Sequence, residues 1–408
     1  MMQDLAPLPQ PTSAHARLLA SRPLAPWGGE IRRILCVCTD TLSDVLMTTP
    51  ALHALRHAFP DRHLTLLTSA AGAALAPFLA DVDDVIRYDA PWAHIRPPRT
   101  HPADLAMRVL LEERHFDAAA IFTGYSQNSL PAATFCYLAG IPRRLARCRE
   151  NPYALLNDWV RETDSGESMQ HEVQRHLTLV SAIGAVTNET RMRMQLRDLD
   201  RRTLAAILLR RKIRLDRPYI VVHPGASAEW LRYPAERFGE AAAQLVRATH
   251  MNVLVTGTAR EAPLVRTLIR AAGPSVQPFI RDLTDAFELG AFAALIERAT
   301  VVVSNNGGPV HVASALGTPV VDLHALGNQQ HGPWQTPNRV LFNDVEGPWR
   351  YRTAFAPRHH ASSKAIPSVE VAEATLDLIK ETDYPTRLAQ TRTDEAETHT
   401  ERGSLGHS

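Results

Sequence analysis

The 408-residue sequence predicts an α/β protein made of two doubly wound domains. Three observations carry this expectation. Short β-branched or apolar runs alternate with longer amphipathic ones, the pattern of strands separated by helices. After a polar bridge the pattern restarts near residue 218, so the chain divides into halves of comparable size. Several apolar runs also lead through glycine or proline loops into helices. In such sheets ligands bind beyond the carboxyl ends of the strands.

The first half, residues 31–200, begins with "IRRILCVC" (31–38) as a buried strand. "TLSDVLMTTPALHALRHAF" follows as a helix, with Thr41 placed to cap it and Asp44 in its first turn. Strands at 63–69, 84–89 and 116–123 alternate with the helical segments "AAGAALAPFL", "PADLAMRVLLEERH" and "LPAATFCYLAG", the last ended by Gly140. "HEVQRHLTLVSAIGA" (171–185) closes this half as a helix, and residues 201–217 form a linker, with "DRRTLAAILLRRK" helical. The second half, 218–383, opens with "PYIVVHPGAS" as a strand running into a loop and a helix begun by Pro234. "NVLVTGT" (252–258) and "TVVVSNNGGPVHVASALGTPVVDLH" continue the strand–loop–helix repeat. Residues 1–30, rich in proline and alanine, read as a loose extension, and 384–408, polar and low in apolar content, as a disordered tail.

The 44 basic and 43 acidic residues leave a net charge of +1, which excludes an overall basic nucleic-acid binder. Only Lys212, Lys364 and Lys380 are lysines, and alanine is abundant beside the arginines. That bias reflects genome composition, so arginine abundance is poor evidence for phosphate binding. Cys36, Cys38, Cys136 and Cys148 are too sparse for a disulfide framework and complete no metal-ligand set. They fit a reduced cytoplasmic compartment. The start of the chain lacks a secretory pattern, and no run is long enough to span a membrane. Peripheral contact with the inner membrane face stays open.

Three segments carry chemistry. In "VVVSNNGGPVHVASALGTP" (301–319), Asn305, Asn306, Gly307 and Gly308 leave a buried strand and open a helix. Adjacent glycines let backbone N–H groups approach an anion, and a helix N-terminus favours negative charge. His311 in the first turn can donate to a phosphate oxygen, or it is a half-buried core histidine. In "VVHPGASAEWLRYPAERF" (221–238), Ser227 and Arg232 can contact a phosphate, Arg232 as a bidentate partner, although a solvated loop arginine is the plainer reading. Tyr233 and Phe238 read as core. In "CTDTLSDVLMTTPAL" (38–52), the helix dipole stabilises Asp44 as an anion, either as a simple cap or as a general base facing a cleft. Beside these, "GTAREAP" places Thr258 and Glu261 as nucleoside contacts or as a helix cap. Arg143, Arg144, Arg147 and Arg149 suit an anionic saccharide or membrane face. However, 18 arginines meet 20 acidic residues in 31–200, which favours a plain solvated surface.

Taken together and in order, these blocks resemble glycosyltransferase family 9, the ADP-heptose:lipopolysaccharide heptosyltransferases and their relatives, over roughly residues 31–380. "SDVLMTTPALHALRHAFPDRHLTLLTS" is similar to the family's opening signature. "AGIPRR" and "HEVQRHLTLVSAIG" are similar to its mid-chain landmarks, and "HPGAS", "RYPAERF" and "SNNGGPVHVASALGTPVV" to its carboxyl-terminal blocks. The resemblance implies a GT-B fold of two facing Rossmann-like domains, with acceptor on the amino-terminal one and nucleotide-sugar donor on the other. It implies metal-independent, inverting transfer of heptose or a related sugar from a nucleotide-diphosphate donor, ADP-linked in the family, to a lipopolysaccharide-core or other glycan or glycolipid acceptor. No cofactor beyond that donor is implied. Asp44 aligns with the catalytic aspartate that deprotonates the acceptor hydroxyl. Asn305, Asn306, Gly307, Gly308 and His311 align with the donor diphosphate site, joined by Ser227 and Arg232. Amides, the helix dipole and positive side chains can take up the leaving charge, and no DxD-type pair is placed to hold a metal.

Departures from the pattern set up competing readings. The glycine expected before the aspartate is Ser43, the expected lysine falls on Leu231, the tryptophan on Tyr233, and the donor-loop aspartate and its hydroxyl neighbour on Asn306 and Gly307. These motivate a second hypothesis, a GT-B protein that binds nucleotide or glycan without turnover. A same-fold sugar-nucleotide epimerase would need a second carboxylate converging on the sugar, and none is evident in the sequence.

Overall fold

The computed structural model describes residues 24–92, 101–162, 170–214, 217–324, 329–342 and 366–382. Residues 1–23 of the expected extension and the expected tail at 384–408 lie outside the described residues.

Among the described residues, twelve strands form two six-stranded sheets, and every pairing is parallel. In the first half these are β1 (Arg33–Cys38), β2 (His63–Thr68), β3 (Asp84–Arg87), β4 (Ala118–Ile121), β5 (Arg143–Cys148) and β6 (Asp158–Arg161). In the second they are β7 (Tyr219–His223), β8 (Asn252–Gly257), β9 (Ile280–Thr284), β10 (Val301–Asn305), β11 (Val320–His324) and β12 (Asn338–Phe342). The orders are β3-β2-β1-β4-β5-β6 and β12-β11-β10-β7-β8-β9, the doubly wound topology twice over. Strands buried on both faces explain why the apolar runs are continuous rather than alternating.

Helices cover both sheets: α1 (Leu42–Ala58), the single turn α2 (Ala70–Ala73), α3 (His101–Glu113), α4 (Leu130–Leu138), α5 (Glu172–Ser181) and α6 (Asp198–Arg210). Then come α7 (Ala235–Thr249), α8 (Ala262–Ala272), α9 (Leu289–Glu297), α10 (Gly308–Leu316) and α11 (Ser368–Glu381). The expected linker helix is α6, and it packs on α9 of the second domain, where Arg201 pairs with Glu297 at 2.7 Å. Pro234 is the N-cap of α7 rather than its first helical residue.

Four strands, β5, β6, β9 and β12, were not expected from the sequence. For β5 the reason is chemical. Its arginines suggested a solvated cluster, yet Arg144 is buried and its guanidinium donates to the carbonyls of Leu155, Ala154, Pro142 and Ile141. Arg147 is half-buried and donates to the Thr178 hydroxyl at 2.6 Å. The packed fold also begins earlier than expected, inside the stretch 1–30 read as a loose extension. Trp27 is 1% exposed, donating from Nε1 to Asp158 at 2.9 Å and from its backbone to the Ile183 carbonyl at 3.0 Å.

Candidate active site

In a doubly wound sheet the strand order reverses between two neighbours, and the loops leaving those strands splay apart to open a crevice. Here the reversals fall between β1 and β4 and between β7 and β10. The loops after these four strands carry nearly every residue singled out from the sequence.

At the first crevice, Asp44 is the third residue of α1 and closes a capping box. Its Oδ2 accepts from the Thr41 backbone N–H at 2.9 Å and the Thr41 hydroxyl at 2.6 Å, while that hydroxyl accepts the Asp44 N–H at 3.4 Å. The carboxylate is thereby fixed at the amino end of a 17-residue helix, where the helix dipole favours an anion. Ser43 lies in that helix without positive φ, so serine replaces glycine there without backbone strain.

A second carboxyl stands beside Asp44, contrary to expectation. Asp40, two residues beyond β1, is 8% exposed, and burial together with the Asp44 charge pushes its pKa from 3.8 up to about 7. Gln127, in the loop after β4, hydrogen-bonds Asp40 and lines a polar cavity of about 140 Å³ with Thr123, Arg147, Arg149 and Glu162. An acid at the end of a buried strand, next to an acid in the following first turn, was the signal that could have revealed Asp40.

At the second crevice, Asn305 joins the two loops. Its Oδ1 accepts the Tyr233 N–H at 2.8 Å, and its Nδ2 donates to the carbonyls of Pro224 at 2.9 Å and Gly225 at 3.1 Å. Asn305 is 1% exposed, so its side chain holds the 224–233 loop against β10 and is turned away from any ligand. Gly307 and Gly308 open α10, and a Cβ at either would meet nothing within 4 Å, which leaves open space over the amides. Tyr233 and Phe238 are core, as expected, in an edge-on contact at 5.0 Å. Ser227 is exposed in the loop. Arg232 is half-buried, and its Nε is buried without a partner.

Asn306 is engaged internally, its Nδ2 donating to Asp322 Oδ2 at 3.0 Å and to the His331 carbonyl at 2.9 Å. Asp322 is fully buried, bonds His324 Nε2 at 2.7 Å, and has an unpartnered Oδ1. A carboxyl group is thus present one strand away from position 306. A carboxylate inside the apolar run "TPVVDLH" was the overlooked sign. His311 is 1% exposed with an unpartnered Nδ1; burial first, then His331, His171 and His324, hold its pKa well below 6.5. It is therefore neutral, able to donate one hydrogen bond but carrying no charge. Thr258 and Glu261 form a cap, with Glu261 Oε2 accepting from the Thr258 N–H at 2.7 Å and hydroxyl at 2.9 Å. The Glu261 carboxylate packs over Gly225, where a Cβ would oblige that side chain to shift.

The two crevices meet. α10 packs on α1, and Leu46 and Val310 belong to one continuous apolar cluster. Around this contact, His171 Nε2 lies 2.9 Å from the Gly332 carbonyl, His331 Nε2 lies 3.7 Å from Glu172, and Trp334 donates to the Thr190 carbonyl at 2.7 Å. The segment 329–334 thus bridges the domains at the level of both loops.

A family model for glycosyltransferase family 9 (heptosyltransferase) matches residues 106–352. Lipopolysaccharide heptosyltransferase 2 of Escherichia coli K12 is 24% identical over 306 residues, 74% of this chain and 85% of that protein. Its counterpart in Salmonella typhimurium is 22% identical over 359 residues, 86% of this chain and 99% of that protein. The solved structure of E. coli ADP-heptose LPS heptosyltransferase II superposes with a TM-score of 0.67 at 21% identity, covering 86% of this chain and 99% of that one. A family 9 glycosyltransferase from Veillonella parvula gives 0.69 at 18% identity, covering 86% and 97%. The fold is accordingly GT-B, two facing Rossmann-like domains. With the family model spanning more than half of the chain and reaching into both sheets, the protein belongs to glycosyltransferase family 9.

Proposed function

We propose that the protein transfers heptose or a related sugar from a nucleoside-diphosphate donor, probed first as ADP-heptose, to a lipopolysaccharide-core or similar glycan acceptor, inverting the anomeric centre without a metal ion. The observation that carries this reading is the meeting of the two crevices. A capped carboxylate at the amino end of α1 and an open glycine loop at the amino end of α10 belong to two helices that pack on each other. The heptosyltransferase relatives support the choice of sugar.

In this reading Asp44 takes the proton of the acceptor hydroxyl as its oxygen attacks the anomeric carbon from the face opposite the diphosphate. The bond from that carbon to the diphosphate breaks, and the nucleoside diphosphate departs with the electron pair. The N-terminal amides of α10, the His311 N–H and Arg232 hold the developing negative charge. The acceptor enters beside Gln127, whose cavity is lined by hydroxyls, amides and guanidinium groups suited to a polyhydroxylated ring.

Asp44→Asn keeps the acceptor geometry of the capping box and removes the basic carboxylate. Transfer should fall by about 10²–10⁴-fold while ADP binding persists. Transfer at the unmodified rate would overturn the assignment. A second reading, binding without turnover, is favoured by Asn306, whose amide is held by Asp322 and His331 rather than left for a ligand. A thermal-shift screen of ADP-, GDP-, UDP- and CMP-linked sugars followed by a donor-hydrolysis assay separates the two, because only the enzyme consumes the donor.

A further inference from the structure

The later turns of α1 carry a second set of polar groups, which the transfer just described does not use. His53 and His57 stand four residues apart in "ALHALRHAF", a spacing that puts both imidazoles on one face of the helix. Their ring centroids are 3.9 Å apart. Asp81, in the segment leading into β3, meets the same face, with Oδ1 and Oδ2 at 3.1 and 3.2 Å from His53 Nδ1. One ligand atom can be taken from each of the three side chains so that all lie within 4.8 Å of one another.

The junction is fixed by its neighbours. Arg56, also on α1, pairs with Asp83 and donates to the Asp81 carbonyl at 3.3 Å. Arg193, between α5 and α6, donates its backbone N–H to the Thr49 hydroxyl at 2.9 Å, and its guanidinium reaches His53 Nε2 at 3.2 Å and Asp81 Oδ2 at 3.8 Å. Arginine only donates, so His53 Nε2 is the acceptor and the ring hydrogen sits on Nδ1, directed at Asp81. The Arg193 side chain is 44% exposed, so water can receive its charge again at little cost.

We propose that His53, His57 and Asp81 form a binding site for one divalent ion of the zinc class, which takes the place of Arg193 as the counter-charge to Asp81. Two imidazoles and a carboxylate suit such an ion. With bonds of about 2.0–2.1 Å, a tetrahedral ion spaces its ligands about 3.3 Å apart, close to the separation already present between His53 Nδ1 and Asp81. His57 is exposed and closes the remaining distance by rotating its side chain. A cavity of about 10 Å³ lined by Thr49, Leu52, Asp81 and Arg193 gives room for a water as fourth ligand. On binding, His53 Nδ1 gives its lone pair to the ion and the ring hydrogen moves to Nε2. That N–H then meets a guanidinium that also only donates, so Arg193 leaves. Nine residues of helix, about 14 Å, separate His53 from Asp44, so the ion ties α1 to the segment before β3 and takes no part in the transfer.

The test is calorimetric titration of Zn²⁺ into the full chain, freed of bound ions by a chelator, at about pH 7.5, where ordinary histidines are neutral. Wild type should bind one ion at a site that His57→Ala and Asp81→Asn each weaken by more than about tenfold, since even an outer hydrogen-bond partner of a metal ligand is worth that much. Arg193→Ala should strengthen binding about fivefold, because a like charge is removed from beside the ion. Co²⁺ should show the strong visible absorption of a tetrahedral site in wild type and lose it in His57→Ala. The exposed position of His57 makes its replacement harmless to the fold, and thermal melts without metal confirm that each variant is folded. No binding by wild type would overturn the proposal. Equal Zn²⁺ affinity in wild type, His57→Ala and Asp81→Asn would assign the binding to scattered surface histidines and overturn it too, as would weaker binding by Arg193→Ala.

Discussion

Asn305→Ala separates two roles that the sequence left together. Read along the chain, Asn305 belongs to the loop expected to hold the donor diphosphate. In the structure its amide bridges the Tyr233 N–H and the carbonyls of Pro224 and Gly225, all in the neighbouring loop. Alanine would leave a buried N–H without an acceptor and two carbonyls without that donor. One unsatisfied buried group costs about 1–3 kcal/mol, and the three share a single side chain, so about 3 kcal/mol is expected in all. For a domain of this size that corresponds to a fall in Tm of roughly 6–12 °C. The assay is differential scanning calorimetry at neutral pH, where the carboxyl-terminal domain should melt early, with ADP titration at a temperature at which the variant is folded. A clamp predicts a large loss of stability and a smaller, indirect loss of ADP affinity. An unchanged Tm with ADP binding abolished would refute the clamp and return Asn305 to the ligand.

Gly308→Ala should behave in the opposite way. Its Cβ would meet nothing within 4 Å, so stability should stay within about 0.5 kcal/mol of wild type, while ADP affinity falls because the methyl occupies the approach to the helix amides; a thermal melt beside calorimetry checks both halves. Acid should destabilise the fold. Burial lowers the pKa of His171 to about 4 and of His176 to about 3, so both stay neutral when folded and protonate when unfolded. The unfolded state binds more protons below its ordinary histidine pKa, about 6.5, and stability is lost as pH falls from there toward 4. Urea midpoints measured across that range should decline, and His176→Gln should flatten the decline.

Most of the architecture was legible because strand-and-helix periodicity is a local property. The apolar runs of β1, β2, β7, β8 and β10 and the cap of α1 follow from residues adjacent in the chain. β5 was hidden because its arginines suggest solvent, and their burial is tolerable only where carbonyls from residues 141–155 converge on Arg144. The site divides in the same manner. Asp44, the glycine loop and His311 were found from strand–loop–helix logic together with the family resemblance. Asp40, Gln127 and Asp322 were not, since part of what surrounds them is distant in the chain: Gln127 is 87 residues from Asp40, and Asn306 is 16 from Asp322.

The sequence by itself determined two doubly wound halves, the loops at the strand ends and the capped acid, because propensity, capping and periodicity act over a few residues. Only the tertiary structure decided which side chains face a ligand and which serve the protein. It turned Asn305 inward, engaged Asn306 with Asp322, left His311 neutral and set Asp40 against Asp44. Those outcomes depend on desolvation and on hydrogen bonds between distant segments, and both exist only once the sheets have formed and the domains have closed on each other.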